Sequence, residues 1–333
     1  MGHRPALSVI MPARNAGGTI AQAIRSVLAS TFSDFEFIII DDGSADDTSD
    51  RVSAFTDPRI RFHSNPDPGL CHALNLAVSL CRAPLIARMD ADDRCYSNRF
   101  EIQLRALDRQ NWDVVGGLVR ILDASGCPVP SLHRYERWVN QHHDDASIRA
   151  FRFVESPLAN PTTLARCEVY DQPFEDGPFP EDYEFWLQAM NKGYRFGKVP
   201  DTVLDWIDTP ERTTRNHPRY SPDAFDRCRR KHLLKGPLAQ IETVDVWGAG
   251  QTGKPWVRWL QSEGLSVRRL IDVSPRKIGQ TIHGTRVISP QQLPPPDNVP
   301  LIIAVGADRA RVQIEPFLRQ RDYTIGGNTW FVA

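Results

Sequence analysis

The sequence predicts an α/β fold whose first two-thirds form a mixed, mostly parallel sheet, followed by a smaller α/β domain. Short apolar runs alternate with segments whose apolar residues recur at helical spacing, which is typical of strand–helix–strand units. After Lys235-Gly236-Pro237 a second pattern of this kind begins, with a glycine-rich turn behind its first strand. We therefore expect domains at residues 1–236 and 237–333, the first divided into halves at about 6–123 and 124–236.

The first half of the chain contains nine predicted elements. Strands are predicted where β-branched and aromatic residues run together and stop at a polar cluster, and helices where apolar residues follow a 3.6-residue period behind Ser or Asp caps. In order they are strand Leu7–Met11, helix Thr19–Leu28, strand Phe35–Ile40, helix Asp46–Phe55, strand Ile60–His63, helix Leu70–Leu80, strand Leu85–Met89, a helix from Ser97 to about Leu107, and strand Val114–Leu122.

The rest of the chain, from residue 125 onward, is less uniform. Residues 125–235 show little regular pattern apart from a predicted helix at Tyr183–Met190. The pattern then becomes regular again, with strand Val244–Trp247, a helix from about Lys254 to Gly264, and strands Val267–Ile271 and Leu301–Val305.

The composition excludes several classes of protein. A chain of 333 residues with 41% hydrophobic and 24% charged residues is ordinary for a globular protein, and a net charge of -1 argues against a nucleic-acid binder. The six cysteines form no C-x-x-C pair, so neither a zinc site nor a disulfide framework is expected and a reducing cytosol fits best. No run approaches the roughly 18 apolar residues of a membrane span. We expect a cytoplasmic protein, with docking at the inner face of a membrane and homodimerisation left open.

Three polar clusters follow predicted strands, at Pro12–Asn15, Asp41–Ser44 and Asp90–Asp93. In sheets of this type, ligands bind at the carboxyl ends of the strands. We therefore expect all three clusters along one edge of the sheet, which favours a shared ligand site over three unrelated loops.

Carboxylates in the pattern D-x-D at a strand end suit a hard divalent cation. Mg²⁺ and Mn²⁺ prefer oxygen ligands and often bridge carboxylates to substrate phosphates, where they neutralise charge on a leaving diphosphate. The alternative is a solvated acidic loop that caps the following helix. The position of Asp90-Ala91-Asp92-Asp93 behind a buried strand favours the metal site.

Four segments in order resemble family 2 glycosyltransferases of the GT-A fold: Ser8–Asn15, Ile39–Ser44, Ala87–Asp93 and Glu181–Leu187. The resemblance covers roughly residues 6–220. It implies an inverting bacterial enzyme that moves a sugar from a nucleoside diphosphate, most often UDP, to a hydroxyl of a saccharide or glycoconjugate acceptor with Mn²⁺ or Mg²⁺. Synthesis of a cell-surface polysaccharide is the implied setting, with residues 6–123 as donor half and 124–236 as acceptor half.

The resemblance also implies roles for the donor site. Pro12 and Arg14 would line the nucleobase pocket, and Asp42, with Asp41 beside it, would hydrogen-bond the base or ribose. Arg88 would pair with a carboxylate or with the donor. A further carboxylate, that of Asp90, would lie near the ribose or the sugar.

For the metal, the resemblance implies Asp92 as main ligand, with Asp93 and His217 as further candidates. Arg212 or Arg215 could also meet the phosphates, because a guanidinium group suits them.

For the reaction, it implies Asp182 as the base that takes the proton from the acceptor hydroxyl. The alternative is that Glu181 or Asp182 only favours the helix N-terminus, an effect of about 0.3–1 kcal/mol.

The final segment carries a separate motif. Gly248, Gly250 and Gly253 follow a predicted strand, and Asp272 ends the next, as in dinucleotide-binding turns. The segment resembles small Rossmann-like modules of carbohydrate enzymes. A nucleotide or nucleotide-sugar site and a packing or dimerising domain both remain open.

Three other functions fit the sequence less well. A nicotinamide-dependent oxidoreductase built on the C-terminal turn explains nothing of the first two-thirds. A non-catalytic, decayed transferase conflicts with the intact carboxylates. A nucleotidyltransferase would place a glycine-rich phosphate loop after the first strand, and Pro12–Asn15 is not one.

Overall fold

The computed structural model describes residues 3–210, 212–307 and 309–333. The chain forms two compact units: residues up to Asp145 with Ser156–Cys228, and Ala146–Glu155 with Arg229–Ala333. The division therefore falls inside a helix before the expected limit at 236–237. Compactness does not test whether either piece folds alone, so the predicted domain limits stay predictions.

The first unit is built on one eight-stranded sheet. Its strands are β1 Leu7–Ala13, β2 Phe35–Asp41, β3 Ile60–Ser64, β4 Leu85–Arg88, β5 Arg94–Cys95, β6 Val114–Asp123, β7 Leu164–Arg166 and β8 Phe196–Asp208. They lie side by side in the order β3-β2-β1-β4-β7-β6-β8-β5. Strands β5 and β7 run antiparallel to their neighbours and the other pairs are parallel. The predicted mixed, mostly parallel α/β fold is confirmed.

Helices follow most of these strands. They are α1 Ile20–Leu28, α2 Thr48–Ser53, α3 Leu70–Ser79, α4 Arg99–Gln110, α5 His133–Val139, α6 Asp145–Phe151, α7 Glu181–Asn191, α8 Thr213–Asn216 and α9 Pro222–Lys235, with short 3-10 turns at Pro130–Leu132, Asn160–Thr162, Cys167–Asp171 and Pro218–Tyr220. Helix α1 has the apolar spacing from which the sequence predicts a helix, because Ile20, Ala23, Ile24 and Val27 form one buried face.

The core surrounds β1 and β2, in which every residue is buried. Continuous apolar strands are expected where both faces of a parallel sheet are covered. The region that looked irregular contains β8, the longest strand of this sheet. Pro200 and Asp201 interrupt its pattern, and its pairing with β6 shifts register between Gly116 and Leu118. Proline cannot donate a ladder hydrogen bond, which explains both the irregular pairing and the missed strand.

The second unit has its own six-stranded sheet in the order β11-β12-β10-β9-β13-β14. Its elements are β9 Thr243–Trp247, α10 Gly253–Ser262, β10 Ser266–Ile271, β11 Thr281–Ile282, β12 Thr285–Ile288, a 3-10 turn at Pro290–Gln292, β13 Leu301–Ile303, α11 Ala310–Arg319 and β14 Thr329–Phe331. All pairs are parallel except the β11–β12 hairpin. This is the second α/β domain that the sequence predicts.

No helix within the described ranges combines the length and apolar character needed to cross a bilayer.

The three glycines of the turn after β9 are not equivalent. At Gly248 the backbone has φ +127°, and an added Cβ would lie 2.4 Å from the carbonyl oxygen of Ala304. At Gly253 an added Cβ would lie 1.8 Å from the carbonyl oxygen of Gly248. At Gly250 the nearest atom would be the Lys277 Nζ at 3.5 Å. Gly248 and Gly253 therefore permit close packing of β9, β13 and α10, whereas an added Cβ at Gly250 would make only an ordinary van der Waals contact.

These contacts predict that Gly253→Ala destabilises the second unit by about 1–3 kcal/mol, because the methyl group must displace backbone. Gly250→Ala is the matched control and should change stability by less than about 0.5 kcal/mol. Urea unfolding followed by tryptophan fluorescence measures both. Equal effects of the two substitutions would contradict the packing role.

Candidate functional site

The loops that follow β1 and β2 are joined by hydrogen bonds. The N–H of Asp42 donates to the carbonyl of Ala13 at 2.8 Å. The N–H of Asn15 donates to Ser44 Oγ at 2.9 Å, and Asn15 Oδ1 accepts from the N–H of Ala45 at 2.8 Å. Two of the three predicted polar clusters therefore lie together, as the parallel pairing of β1 with β2 requires.

Asp42 is held from the neighbouring strand. Its Oδ1 accepts from Asn65 Nδ2 at 2.6 Å and from the N–H of Gly69 at 2.7 Å, and its side chain is buried. Asp41 makes longer contacts, accepting from the N–H of Ser44 at 3.4 Å and from Ser49 Oγ at 3.5 Å. The sequence interpretation missed Asn65, although it follows the end of β3 and the strand-end argument applies to it equally.

Pro12 and Arg14 lie at the end of β1 with different exposure. Pro12 is buried within the strand and pairs with Ile40, whereas Arg14 is exposed just beyond it. The structure thus places Arg14 where a ligand at this edge can reach it, and makes Pro12 part of the wall beneath.

Arg88 ends β4 and is almost completely buried. Its guanidinium group lies 2.7 Å from Asp90 Oδ1 and also donates to the carbonyl of Met89. The sequence left two partners for Arg88, a carboxylate or the donor, and the structure shows the pairing with a carboxylate.

A buried polar network holds this end of β4, and the sequence interpretation did not identify it. Arg99 on α4 is fully buried, and its Nη2 donates to the carbonyls of Arg88 at 2.8 Å and Thr163 at 3.3 Å. Gln103, one turn later, donates to the carbonyl of Thr162 at 2.8 Å. An i, i+4 pair of polar residues on an amphipathic helix normally lies on the solvent face, so the sequence gives no signal for this burial.

The carboxylates of the acidic cluster lie close together. Asp90, Asp92 and Asp93 each offer a carboxylate oxygen within 4.8 Å of the others. Asp93 is 1% exposed, and its Oδ1 accepts from the N–H of Ile207 at 2.9 Å. Its Oδ2 is buried and has no hydrogen-bond partner among the described residues. The three side chains therefore place several possible metal-ligand oxygens close together, and one of these oxygens, Asp93 Oδ2, is buried and unsatisfied.

The electrostatics of this cluster disfavour three ionised carboxylates. Burial, reinforced by the neighbouring Asp90, raises the pKa of Asp92. Burial, reinforced by Asp92 and Asp90, raises the pKa of Asp93 well above its usual range. The positive charge of Arg212 opposes both pKa shifts.

Arg212 is the cation that the structure brings to the carboxylates from the segment after β8. Its guanidinium donates to the carbonyl of Ile207 at 3.2 Å and lies 4.8 Å from the centre of the Trp206 ring. Burial alone would lower the pKa of Arg212, but the charges of Asp93, Asp92 and Asp90 outweigh it and raise the pKa.

The other two candidates of this segment lie elsewhere. Arg215 pairs with Asp208, with 3.0 Å between Nε and Oδ1. His217 is exposed, and its Nδ1 accepts from the N–H of Arg219 at 3.3 Å. Within the described residues, the acidic group that could hold a metal at this edge consists of Asp90, Asp92 and Asp93, so the structure does not bring His217 to the predicted metal ligands.

Two carboxylates lie at the start of α7, and they have different surroundings. Glu181 is buried and accepts from the Tyr220 hydroxyl at 2.8 Å and from Arg219 at 3.4 Å. Asp182 is partly exposed, and its Oδ1 accepts from the N–H of Tyr183 at 2.7 Å. Glu181 therefore ties the helix to the segment after α8, and Asp182 is the more accessible of the two.

Helix α7 is connected to the end of β4 through residues 160–163. Trp186 Nε1 donates to Asn160 Oδ1 at 3.2 Å, and the N–H of Arg88 donates to the carbonyl of Thr163 at 2.9 Å. Asp182 and Trp186 share a helix face because they are four residues apart. Asp182 therefore lies on the same face of α7 as Trp186, whose indole is joined to Asn160.

In the second unit, a cleft of about 370 Å³ is lined by the glycine turn, Asp272 and Lys277. Asp272 Oδ2 accepts from the N–H of Ala249 at 3.0 Å and from Lys277 Nζ at 2.9 Å, and Oδ1 accepts from the N–H of Ser274 at 2.8 Å. Burial alone would raise the pKa of Asp272, but these bonds lower it. The carboxylate fastens the turn and positions Lys277.

Comparisons with known proteins agree with this architecture. Residues 8–161 match the family model described as Glycosyl transferase family 2. The Escherichia coli protein named UDP-Glc:alpha-D-GlcNAc-diphosphoundecaprenol beta-1,3-glucosyltransferase WfgD is 34% identical over 186 residues, which cover 55% of this chain and 69% of that protein. The Escherichia coli O-antigen biosynthesis glycosyltransferase WbnJ is 29% identical over 207 residues, 60% of this chain and 78% of that protein.

Other relatives are longer than the matched region. An uncharacterised glycosyltransferase of Rickettsia felis is 35% identical over 197 residues, which cover 57% of this chain but 31% of that protein. The chain spans 62% of a similar protein of Haemophilus influenzae.

Among solved structures, Staphylococcus aureus TarS 1-349 in complex with UDP-GlcNAc aligns with a TM-score of 0.55 at 18% identity, covering 69% of this chain and 66% of that one. The first unit thus has the GT-A fold. The chain belongs to glycosyltransferase family 2.

The raised pKa of Asp93 predicts that Asp93→Asn stabilises the metal-free protein at neutral pH. The stability that a protonated Asp93 contributes is complete below the unfolded-state pKa of about 3.9 and is lost as the pH rises through the higher folded-state pKa. Asparagine is neutral throughout, so the variant should melt a few degrees higher near pH 7 and should lose this advantage below about pH 4.

Thermal unfolding in EDTA across this pH range measures the difference. Asp108→Asn, which removes an exposed carboxylate on α4, is the control and should follow the wild type. A variant that melts below the wild type at pH 7 would contradict the electrostatic argument.

Proposed function

We propose that the first unit is a metal-dependent, inverting glycosyltransferase that moves a sugar from a nucleoside diphosphate, UDP in the first instance, to a hydroxyl of a saccharide or glycoconjugate. The observation that carries this proposal is the convergence of Asp90, Asp92 and Asp93 at the end of β4. It stands beside the linked loops of β1 and β2, in a chain of this family.

The residues fit a divalent cation. Asp93 Oδ2 is a buried oxygen without a hydrogen-bond partner, and the raised pKa values of Asp92 and Asp93 show that their negative charge is poorly compensated. All three side chains offer oxygen, the donor that Mg²⁺ and Mn²⁺ prefer. We assign Asp92 and Asp93 as ligands, with Asp90 completing the set or meeting the sugar. When bound, the cation would neutralise charge on the departing diphosphate.

The donor nucleotide is assigned to the edge formed by β1 and β2. Asp42 is held rigidly by Asn65 and Gly69, so its carboxylate is positioned to accept a hydrogen bond from a base or ribose. Pro12 and the exposed Arg14 complete the base pocket. The name of WfgD specifies UDP-Glc and the TarS complex contains UDP-GlcNAc, which support UDP. A Pyrobaculum calidifontis mannosyltransferase, with a TM-score of 0.50 at 18% identity over 79% of this chain and 70% of that one, contains GDP-Man and Mn²⁺.

Arg212 is assigned to the diphosphate. Its guanidinium offsets part of the charge of the three carboxylates, and it is held against Trp206 and the Ile207 carbonyl. A cation fixed at this point would stabilise negative charge as it develops on the leaving group. The geometry favours Arg212 over Arg215 and His217 for this role, because Arg215 pairs with Asp208.

Asp182 is assigned as the base. An acceptor hydroxyl would transfer its proton to the Asp182 carboxylate while its oxygen bonds to the anomeric carbon and the bond to the diphosphate breaks from the opposite side. Glu181 does not suit the task, because Tyr220 and Arg219 occupy its carboxylate. The acceptor is proposed to be a growing surface saccharide, since WbnJ acts in O-antigen biosynthesis and ExoU of Rhizobium meliloti in succinoglycan biosynthesis.

The second unit does not favour the oxidoreductase alternative. A dinucleotide-binding aspartate must accept from the ribose, whereas Asp272 already accepts three bonds from Ala249, Ser274 and Lys277. The nucleotide site at Gly248, Gly250, Gly253 and Asp272 stays a prediction, with Gly250 as the glycine that leaves room for a ligand.

The assignment of Asp182 predicts that Asp182→Asn lowers kcat for sugar transfer by about 100-fold or more, the usual effect of losing a general base, with little change in the donor KM. Asp92→Ala should remove the metal-dependent donor binding itself. Asp171→Asn, an exposed carboxylate before α7, is the matched control. Near-normal transfer by Asp182→Asn, with Asp92→Ala inactive, would exclude Asp182 as the base.

The donor and metal are tested by a screen of UDP-, GDP- and dTDP-sugars, with and without Mn²⁺, measured as thermal shift and as donor hydrolysis. We expect UDP-sugars to stabilise the protein in the presence of Mn²⁺, and EDTA to abolish the effect. Asp92→Ala should not respond. A wild-type protein that responds to no nucleotide-sugar and no metal would refute the proposed function.

A further inference from the structure

An open cleft of about 520 Å³ lies in the first unit between α1 and strands β5, β6 and β8. None of the residues assigned to the donor, the metal or the base lines it. Its charged lining consists of Arg25, Arg94, Arg120 and Asp205, so three guanidinium groups surround a single carboxylate.

Three of these residues form a row across the sheet. Arg94 on β5 pairs with Asp205 on β8, and Asp205 pairs with Arg120 on β6. Side chains at paired positions of neighbouring strands lie on the same face of a sheet. The row therefore presents alternating positive, negative and positive charge to the cleft.

The carboxylate in the middle of the row is fully engaged on one side. Arg120 donates to both oxygens of Asp205, from Nε to Oδ1 at 3.0 Å and from Nη2 to Oδ2 at 3.2 Å. The Tyr96 hydroxyl adds a third hydrogen bond to Oδ1 at 3.1 Å. Arg120 thus neutralises Asp205, and two arginines of the cleft are left with uncompensated charge.

Of these two arginines, Arg94 gives the stronger evidence for a missing ligand. Although it is paired in register with Asp205, its side chain has no hydrogen bond or ion pair to any residue within the described ranges, and its Nε is buried without a partner. Arg25 stands exposed at the edge of the cleft, with its guanidinium carbon 5.7 Å from the centre of the Phe55 ring. A buried guanidinium N–H requires an acceptor, and the Nε of Arg94 has none among the described residues.

We propose that this cleft binds a phosphate group, with Arg94 as its principal contact and Arg25 as the second cation. A guanidinium fork matches the oxygens of a phosphate with two parallel hydrogen bonds, and two unneutralised arginines match the charge of a phosphate dianion. The cleft has the size of sites that hold small organic ligands, so the phosphate is carried on a larger molecule. That molecule is either a soluble phosphorylated saccharide or a phospholipid headgroup.

The test measures phosphate binding without nucleotide and in EDTA, so that it does not depend on the proposed transferase activity. Wild type, Arg94→Gln, Arg94→Lys and Arg109→Gln are titrated with inorganic phosphate and with glucose 1-phosphate, against chloride at equal ionic strength. Calorimetry and thermal shift report binding. Arg109 is an exposed arginine of α4 and serves as the matched control for loss of charge.

We expect Arg94→Gln to weaken phosphate binding by about tenfold or more, as loss of a charge-assisted hydrogen bond would, with partial recovery in Arg94→Lys and no change in Arg109→Gln. Arg212→Gln should retain the response, which separates this cleft from the diphosphate contact at the acidic cluster. Should Arg94→Gln fail to fold by circular dichroism, Arg25→Gln takes its place with the same expected loss.

Flotation with phosphatidylcholine vesicles, with and without phosphatidylglycerol, distinguishes the two carriers. Binding to the anionic vesicles that is lost in Arg94→Gln identifies a lipid headgroup, and phosphate binding without vesicle binding identifies a soluble carrier. Absence of any phosphate response in the wild type, or an equal response in Arg94→Gln, would overturn the proposal.

Discussion

The parallel pairing of β1 with both β2 and β4 is the constraint on which the rest of the first unit depends. Because the three strands run in one direction, with Ala13 opposite Asp41 and Ile10 opposite Arg88, their carboxyl ends meet at one edge. Arg14, Asp42 and Asp90 each lie just beyond the carboxyl end of one of these strands. The chemistry of the site is thus a consequence of strand direction, and the buried apolar runs of β1 and β2 maintain it.

The site also requires that the end of β4, which carries several charged residues, is fixed in position. Arg99 does this from beneath, by binding the carbonyls of Arg88 and Thr163 in a fully buried position. The same two segments are joined by the bond from Arg88 N–H to Thr163, and residues 160–163 lead through Asn160 to Trp186 on α7. The acidic cluster and the helix that carries Asp182 are therefore positioned by one continuous set of hydrogen bonds.

The charges of the site are only partly balanced by neighbouring residues. Arg88 pairs with Asp90, and Arg212 offsets the buried charges of Asp92 and Asp93. Among the described residues, one oxygen of Asp93 has no hydrogen-bond partner, and the cluster is short of positive charge and suited to a cation. In the cleft lined by Arg94 and Arg25 the imbalance is reversed, because neither arginine has an acidic partner within the described ranges. The acidic cluster therefore suits a cation, and the arginine-lined cleft suits an anion.

The sequence by itself determined the α/β class, the nine elements of the first half and the grouping of the strand-end clusters. These follow from hydrophobic period and strand direction, which are local properties. Only the tertiary structure decided that Arg99 is a buried anchor, that Asn65 holds Asp42, that Arg212 rather than His217 meets the carboxylates, and that Glu181 is occupied while Asp182 is accessible. It also revealed β8, whose proline-interrupted sequence shows no strand period. Each of these depends on which residues distant in the chain come into contact, and such contacts leave no periodic trace in the sequence.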